Sequence, residues 1–179
     1  TGTYNLGFVA VSRAAGPFLA WWQVRLRRDA IVDPRAMLFT DQRWVDLAPG
    51  YFPVHILRDP GCNVAYWNLG TRTIAWSGGA YTVNGHPLRF LHFSGYDPDR
   101  PHLLSRHQGE RPRVLLSERP LLRSLCDRYR GRLLLAGWGD PDLPAYGYGR
   151  VPDGPAIDRL MRRCYRRALL ASEADGRPE

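Results

Sequence analysis

Apolar positions recur along this chain in two rhythms, every second residue in short runs and every third or fourth in longer ones, and each rhythm predicts a kind of element. Residues 4–11, Tyr-Asn-Leu-Gly-Phe-Val-Ala-Val, are rich in β-branched and aromatic side chains and predict a buried strand. The Asn and Gly near its start point to a close backbone approach. Pro17 suits a first helical position. Phe18, Leu19, Trp22 and Leu26 then share one face of a helix over 18–28 that is expected to pack on a sheet. Thr40 is placed to cap a short helix over 41–48, closed by Pro49-Gly50, with Asp41 and Gln42 in its first turn. Residues 54–57 read as a strand and Arg58-Asp59-Pro60-Gly61 as a turn leading into 63–69.

Gly78-Gly79 and Asn84-Gly85 bracket residues 80–83, and Asn-Gly is a strong hairpin signal before a strand over 87–93. After a polar, Pro-rich stretch, Pro120 opens a helix to Leu135 with Leu121, Leu122 and Leu125 toward the body. Residues 136–154, crowded with Pro, Gly and aromatics, read as an irregular connection. From Pro155 to about residue 171 an amphipathic helix sets Ile157, Leu160, Met161, Cys164, Tyr165, Ala168 and Leu169 against Arg159, Arg162, Arg163, Arg166 and Arg167. Residues 172–179 read as a tail or linker. The fold class expected is α/β, with the main domain over 1–135. No repeat is evident, and no apolar run approaches the roughly 18 residues of a membrane span.

Composition sharpens the picture. The 179 residues are 44% hydrophobic and 23% charged, which fits a globular chain and excludes a long disordered tract. The formal charge is +8, divided evenly between the two halves, and favours anionic partners. Every basic residue is Arg and none is Lys. Planar guanidinium forks suit phosphate and carboxylate, although an arginine-biased genome explains the same composition. Nine Arg face three acids within residues 100–132, a stretch able to line a phosphate groove or simply to solvate two helices.

Cys62, Cys126 and Cys164 are odd in number and far apart, so they read as small buried hydrophobes in a reducing compartment. Asn5, Asn63 and Asn68 lie in apolar stretches, where an amide needs hydrogen-bond partners, most often backbone. Asp41 beside Gln42 could hydrogen-bond sugar hydroxyls or merely cap a helix. His92 ends a strand just before Ser94-Gly95, where backbone N–H groups can approach phosphate, and reads either as a metal ligand or as a satisfied core histidine. His102 and His107 are expected to face solvent, and Arg106 offers a cation to a diphosphate. Asp97-Pro98-Asp99 and Asp140-Pro141-Asp142 read as turn formers. P-loop, dinucleotide-binding, nucleophile-elbow and zincin motifs are absent from the sequence.

In their order these pieces resemble the second half of a bacterial GT-A glycosyltransferase, of the polysaccharide and cell-surface glycan type related to family 8. Tyr4-Asn5-Leu6-Gly7-Phe8 looks like the family's Asn-x-Gly strand and Thr40-Asp41-Gln42-Arg43-Trp44-Val45-Asp46 like its Asp-Gln helix. Leu91-His92-Phe93-Ser94-Gly95 looks like its His-Phe-x-Gly strand end, and residues 58–69 resemble a stretch typical of the bacterial group. The resemblance implies an incomplete GT-A-like mixed sheet flanked by helices. It implies a nucleotide-sugar donor, a hexose-like transferred unit and a glycan or lipid-linked acceptor. Asn5 and Asp41 would contact the sugar, Gln42 would lie below its anomeric carbon, and His92 would complete a Mn²⁺ or Mg²⁺ site. Gly7, Trp67, Asn68, Ser94, Gly95 and Arg106 would complete the substrate contacts. The family's Asp-x-Asp motif has no counterpart before Asn5, and its Lys is replaced by Arg106 or by Arg72. An upstream nucleotide-binding half is therefore expected, and the 179 residues alone are expected to be inactive. The location implied is cytoplasmic, with peripheral contact at the inner face of the membrane.

Two other readings compete. An Arg-rich module could bind anionic membrane or nucleic acid through phosphates, but the Trp residues do not alternate with Arg as a stacking groove requires, so no specific nucleic acid is expected. A glycoside hydrolase would need an acid in an apolar setting, and none of Glu110, Glu118, Glu173 and Glu179 has one.

Overall fold

In a computed structural model, residues 3–144 and 146–177 are described, which leaves Thr1, Gly2, Ala145 and the Pro178-Glu179 end of the expected tail outside. Along the chain run α1 (Gly16–Asp29), β1 (Val32–Asp33), β2 (Leu38–Phe39), α2 (Gln42–Val45), α3 (Ala48–Tyr51), β3 (Ile74–Ser77), β4 (Ala80–Val83), β5 (His86–Pro87), α4 (Pro120–Leu135) and α5 (Arg159–Ala174). The described residues are thus mixed α/β, with five α-helices and two small antiparallel sheets, β1-β2 and β3-β4-β5. They divide into two compact units, Thr1–Leu134 and Leu135–Glu179.

Turn chemistry builds the three-stranded sheet. Gly78 and Gly79 take φ of +58° and +78°, and Asn84 and Gly85 take +52° and +81°, the left-handed pairs that tight hairpins require. Ser77 therefore pairs with Ala80, and Val83 with both Ile74 and His86. The Asn84 amide is spent locally, its oxygen accepting from the Thr73 N–H at 2.8 Å and its nitrogen donating to the Thr71 carbonyl at 2.9 Å.

The strand expected over 87–93 leaves the ladder after Pro87. Beyond it the chain runs beside residues 61–64 instead. The Gly61 carbonyl accepts from the N–H groups of Arg89 (2.8 Å) and Phe90 (3.2 Å), and the His92 N–H donates to the Val64 carbonyl at 2.7 Å, with Val64 and Leu91 forming one parallel bridge. A Cβ at Gly61 would stand 2.0 Å from the Pro87 carbonyl oxygen, so only glycine permits this crossing.

Val64, Leu69, Val83, Leu104, Leu116, Leu122 and Cys126 form the core, with Leu91, Phe93 and Tyr96 packed against it. Helix α4 has the bounds its periodicity predicts. It buries Leu122 and Cys126, stacks Tyr129 on Phe93 at 3.9 Å, and donates from Arg130 Nε to the Pro98 carbonyl at 2.8 Å.

Further expectations need correction. Helix α1 packs on α2 and α3, not on a sheet. Trp21 meets Trp44, Tyr51 and Phe52, Phe18 meets Phe52, and the Arg25 guanidinium lies 5.0 Å from the Trp21 ring centre and 5.8 Å from that of Trp44. Leu19, assigned to the packed face, is 43% exposed because Trp21 fills that role. Residues 4–11 and 54–57 form no strand, for side chains rather than a neighbouring strand satisfy the start of the first. Asp46 Oδ1 accepts from the N–H groups of Thr3 and Tyr4, and Asn5 Oδ1 from that of Gly7. The helix expected over 41–48 is broken into α2 and α3, with Pro49 and Gly50 inside the second.

In the second unit α5 begins at Arg159, not Pro155. Asp158 caps it, accepting from the Met161 N–H at 2.8 Å, while residues 150–156 form a small loop closed by the Arg150–Ala156 bridge. Both D-P-D sequences are turns, with Asp97 and Asp140 accepting from the N–H two residues on. No helix among the described residues is long and apolar enough to cross a membrane.

Cys126 is fully buried, and burial, reinforced by the charge of Asp127, pushes its thiol up to about 12 from an ordinary 9.0. A thiol that holds its proton longer when folded favours the folded state fully only below pH 9. That advantage shrinks as pH rises toward 12, because the unfolded chain ionises first. Tyr96, whose hydroxyl burial raises to about 12, adds the same trend. Urea midpoints should therefore fall above pH 9, and fall less in Cys126→Ala than in the parent. Leu122→Ala should cost about 2–5 kcal/mol at neutral pH in the same titration.

Candidate functional site

Four polar side chains from four separate segments join in one hydrogen-bonded chain. Asn5 Nδ2 donates to Gln42 Oε1 at 3.2 Å, Asn63 Nδ2 donates to Asn5 Oδ1 at 2.8 Å, and His92 Nδ1 lies 3.1 Å from Asn63 Oδ1. Each member is held by its own element. Asn5 is set by the turn in which its Oδ1 accepts from the Gly7 N–H at 2.8 Å. Gln42 opens α2, whose Asp46 grips the Thr3 and Tyr4 amides and pairs with Arg43. Asn63 sits at φ +53°, a left-handed conformation that Asn tolerates. His92 follows Leu91 on the segment fastened to Val64.

Gly7 makes the crossing possible. A Cβ there would lie 2.1 Å from Asn63 Oδ1 and 2.6 Å from His92 Nδ1. The glycine that the sequence marks as a close approach is therefore the floor beneath the Asn63–His92 bond. Trp67 presents its ring edge-on to His92 at 5.2 Å. Asn68 anchors the turn that carries Trp67, accepting from the Ala65 N–H at 2.9 Å and donating to the Asn63 carbonyl at 2.8 Å.

Asp41 stands at the head of α2 but caps nothing. Its carboxylate accepts from the Thr40 hydroxyl at 2.9 Å, and its carbonyl accepts from Trp22 Nε1 at 3.3 Å, which ties it to α1. Thr40 is not the cap expected of it, since it takes φ +49° and donates its hydroxyl forward to Asp41. With α2 only four residues long, the dipole argument for Asp41 loses its basis.

Past His92 the chain turns at Gly95, φ +68°, whose carbonyl accepts from the Arg106 N–H at 2.9 Å. A Cβ on Gly95 would come within 2.5 Å of the His107 ring and 2.8 Å of Ser105 Oγ. Ser94 and Gly95 are thereby set against the short 3-10 turn of Arg106–Gln108, and Arg106 is exposed there. Arg72, the alternative cation, is engaged elsewhere, donating to the Cys62 carbonyl.

The sequence points to Asn5, Gln42 and His92 as site residues and to Asn63, which connects them, only as an amide bonded to backbone. Its signal was weak: an Asn two residues after a Gly, at the entrance to an apolar run, marks a left-handed turn and nothing about the partner of its amide. An apolar hollow of about 220 Å³ beside α4, lined by Leu69, Ile74, Val114 and Leu122, includes none of these four residues.

The donor set decides how far a metal is supported. Mn²⁺ and Mg²⁺ prefer several oxygen ligands, and among the described residues no three His, Cys, Asp or Glu side chains gather in one place. His92 fits one position of such a shell, and these residues do not furnish the rest.

The chain is similar to two Bacillus subtilis (strain 168) proteins described as uncharacterized. It is 36% identical to YfnF over 99 residues, 53% of this chain and 33% of that protein. It is 33% identical to YfnD over 103 residues, 54% of this chain and 32% of that protein. The chain spans about a third of the length of these curated relatives. No family model matches it, and no solved structure does.

Gly7→Ala should drive the Asn63 amide and the His92 ring apart while leaving the core intact. The expected result is a loss of about 1 kcal/mol of stability, with NMR shift changes concentrated at Asn5, Asn63 and His92 and absent from the Val83 methyls.

Proposed function

We propose that this chain supplies the sugar-facing part of a nucleotide-sugar-dependent glycosyltransferase of the GT-A type, moving a hexose-like unit to a glycan or lipid-linked acceptor. One observation carries the reading: Asn5, Gln42 and His92, from three distant segments, meet in one hydrogen-bonded chain through Asn63. A packed core has no need of such a chain in a partly exposed position, whereas a polyhydroxylated ligand needs several amides of fixed orientation.

In this reading Asn5, Gln42 and the neighbouring Asp41 carboxylate hold the sugar hydroxyls. Gln42 is a neutral amide and a poor nucleophile, so its part is to orient the sugar rather than to form a covalent glycosyl-enzyme. As the sugar–oxygen bond breaks, negative charge collects on the leaving diphosphate. Arg106, whose backbone N–H bonds the Gly95 carbonyl, carries an exposed guanidinium that would supply compensating charge and donors to it. Trp67 offers an apolar edge beside His92. The chain alone is proposed to be incomplete as a catalyst, since among the described residues no three His, Cys, Asp or Glu side chains gather to hold a metal with His92.

A second reading rests on α5. Leu160 and Tyr165 are 66% and 69% exposed on its apolar side, opposite the Arg face, the pattern of a helix that lies on an anionic membrane surface. It complements the first reading if the acceptor is lipid-linked, and puts the chain at the inner face of the membrane. Salt-sensitive retention on phosphatidylserine vesicles, absent on neutral ones and on duplex DNA, is the expected result.

Titration calorimetry with UDP-hexoses tests the transferase reading. Asp41→Ala and Arg106→Ala should each weaken binding about 10- to 100-fold, the loss of one charge-assisted hydrogen bond. Binding by the parent chain of neither the UDP-hexose nor the free hexose would count against the reading. Robust metal-dependent transfer by these 179 residues alone would contradict the claim that they are incomplete.

A further inference from the structure

The hydrogen-bonded chain through Asn63 has a direction, and one backbone group sets it. An N–H can only donate, so the atom of Asn5 facing the Gly7 N–H at 2.8 Å must be its oxygen. Asn5 Oδ1 also faces the Asn63 amide at 2.8 Å, and two oxygens there would repel, so Asn63 turns its NH₂ to Asn5 and its oxygen to His92. That oxygen accepts, and His92 Nδ1, 3.1 Å away, must carry the proton. At the other end Asn5 Nδ2 donates to Gln42, which fixes the Gln42 oxygen inward. Neither Gln42 Nε2 nor His92 Nε2 has a hydrogen-bond partner among the described residues.

We propose that Asn63 is a positioning residue that passes the direction of the Gly7 N–H to His92, holding the imidazole as the Nδ1–H tautomer with the lone pair left on Nε2. The two open ends of the chain then differ in kind. Gln42 presents an NH₂ that can only donate, and His92 presents a nitrogen that can only accept a proton or bind a cation. A ligand matching both carries an acceptor oxygen for Gln42 and a hydroxyl hydrogen, or a cation, for His92. A polyol meets that demand, and a simple anion, with no proton to offer, does not. The inference deepens the sugar-binding reading, but its tautomer claim rests on these hydrogen bonds alone and stands whether or not transfer occurs.

Long-range ¹H–¹⁵N correlation on the ¹⁵N-labelled full chain, at a pH where His92 is neutral, reads the tautomer with no ligand present. The parent should show the proton on Nδ1. Asn63→Gly keeps the left-handed backbone without strain and removes the amide, and should move His92 toward the Nε2–H form. The other four histidines serve as controls for folding. Asn63→Asp retains an acceptor for Nδ1 and should keep the proton there. An Nε2–H parent, an unchanged tautomer in Asn63→Gly, or loss of the Nδ1 proton in Asn63→Asp would each overturn the proposal. Failure to bind nucleotide sugars would leave these spectra unaffected, so the two claims fail separately.

Discussion

Everything distinctive in the candidate site follows from a donor that cannot be reversed. An amide side chain reads almost the same in either orientation, and a chain of them could settle into two opposite polarities. The Gly7 N–H removes that freedom at Asn5, and each later member inherits its orientation from the one before. Glycine is required at the same position for a second, steric reason, because a Cβ there would occupy the space of the Asn63 and His92 side chains. One residue thus fixes both the closeness and the sense of the contacts.

The site is also continuous with the core. Leu91 and Phe93 pack against the buried cluster while His92, between them, faces the amides, as the alternation of an extended segment dictates. Residues 61–64 run beside that segment and bring Asn63 into reach by the same hydrogen bonds that seat Val64 in the core. On the other flank, the aromatic packing of α1 on α2 and α3 fixes Asp41 and Gln42, with Trp22 bonded to the Asp41 carbonyl. Packing on both flanks holds the four side chains at hydrogen-bonding distance.

What the sequence disclosed depended on whether the cause was local. Helix α4 was legible because a proline start and a leucine repeat act within a few turns, and the hairpin turns because Gly-Gly and Asn-Gly meet a backbone demand at their own positions. Residues 4–11 misled because β-branched and aromatic content signals an extended chain but not its partner. The backbone is satisfied there by Asp46 and Asn5, and Phe8, Val9 and Val11 remain about half exposed. Asn5, Gln42 and His92 emerged through a family resemblance, and no spacing rule joins them. Asn63 read only as a structural amide because its importance lies in what it touches 58 residues away. The face of α1 was misassigned at Leu19 because a helical wheel cannot tell that two tryptophans, not a leucine, meet α2 and α3.

Those long separations bear on the order in which the molecule acquires its parts. The contacts that define the chain of amides span 37, 58 and 29 residues, whereas the hairpin and α4 close on neighbours a few positions off. Loop-closure entropy has to be met before such distant partners reward it, so local elements form first and remote pairings afterwards. A nascent polypeptide would own its secondary structure well before its amides and imidazole had met, and a population arrested midway would look ordered to circular dichroism while the His92 ring was still without its amide neighbour.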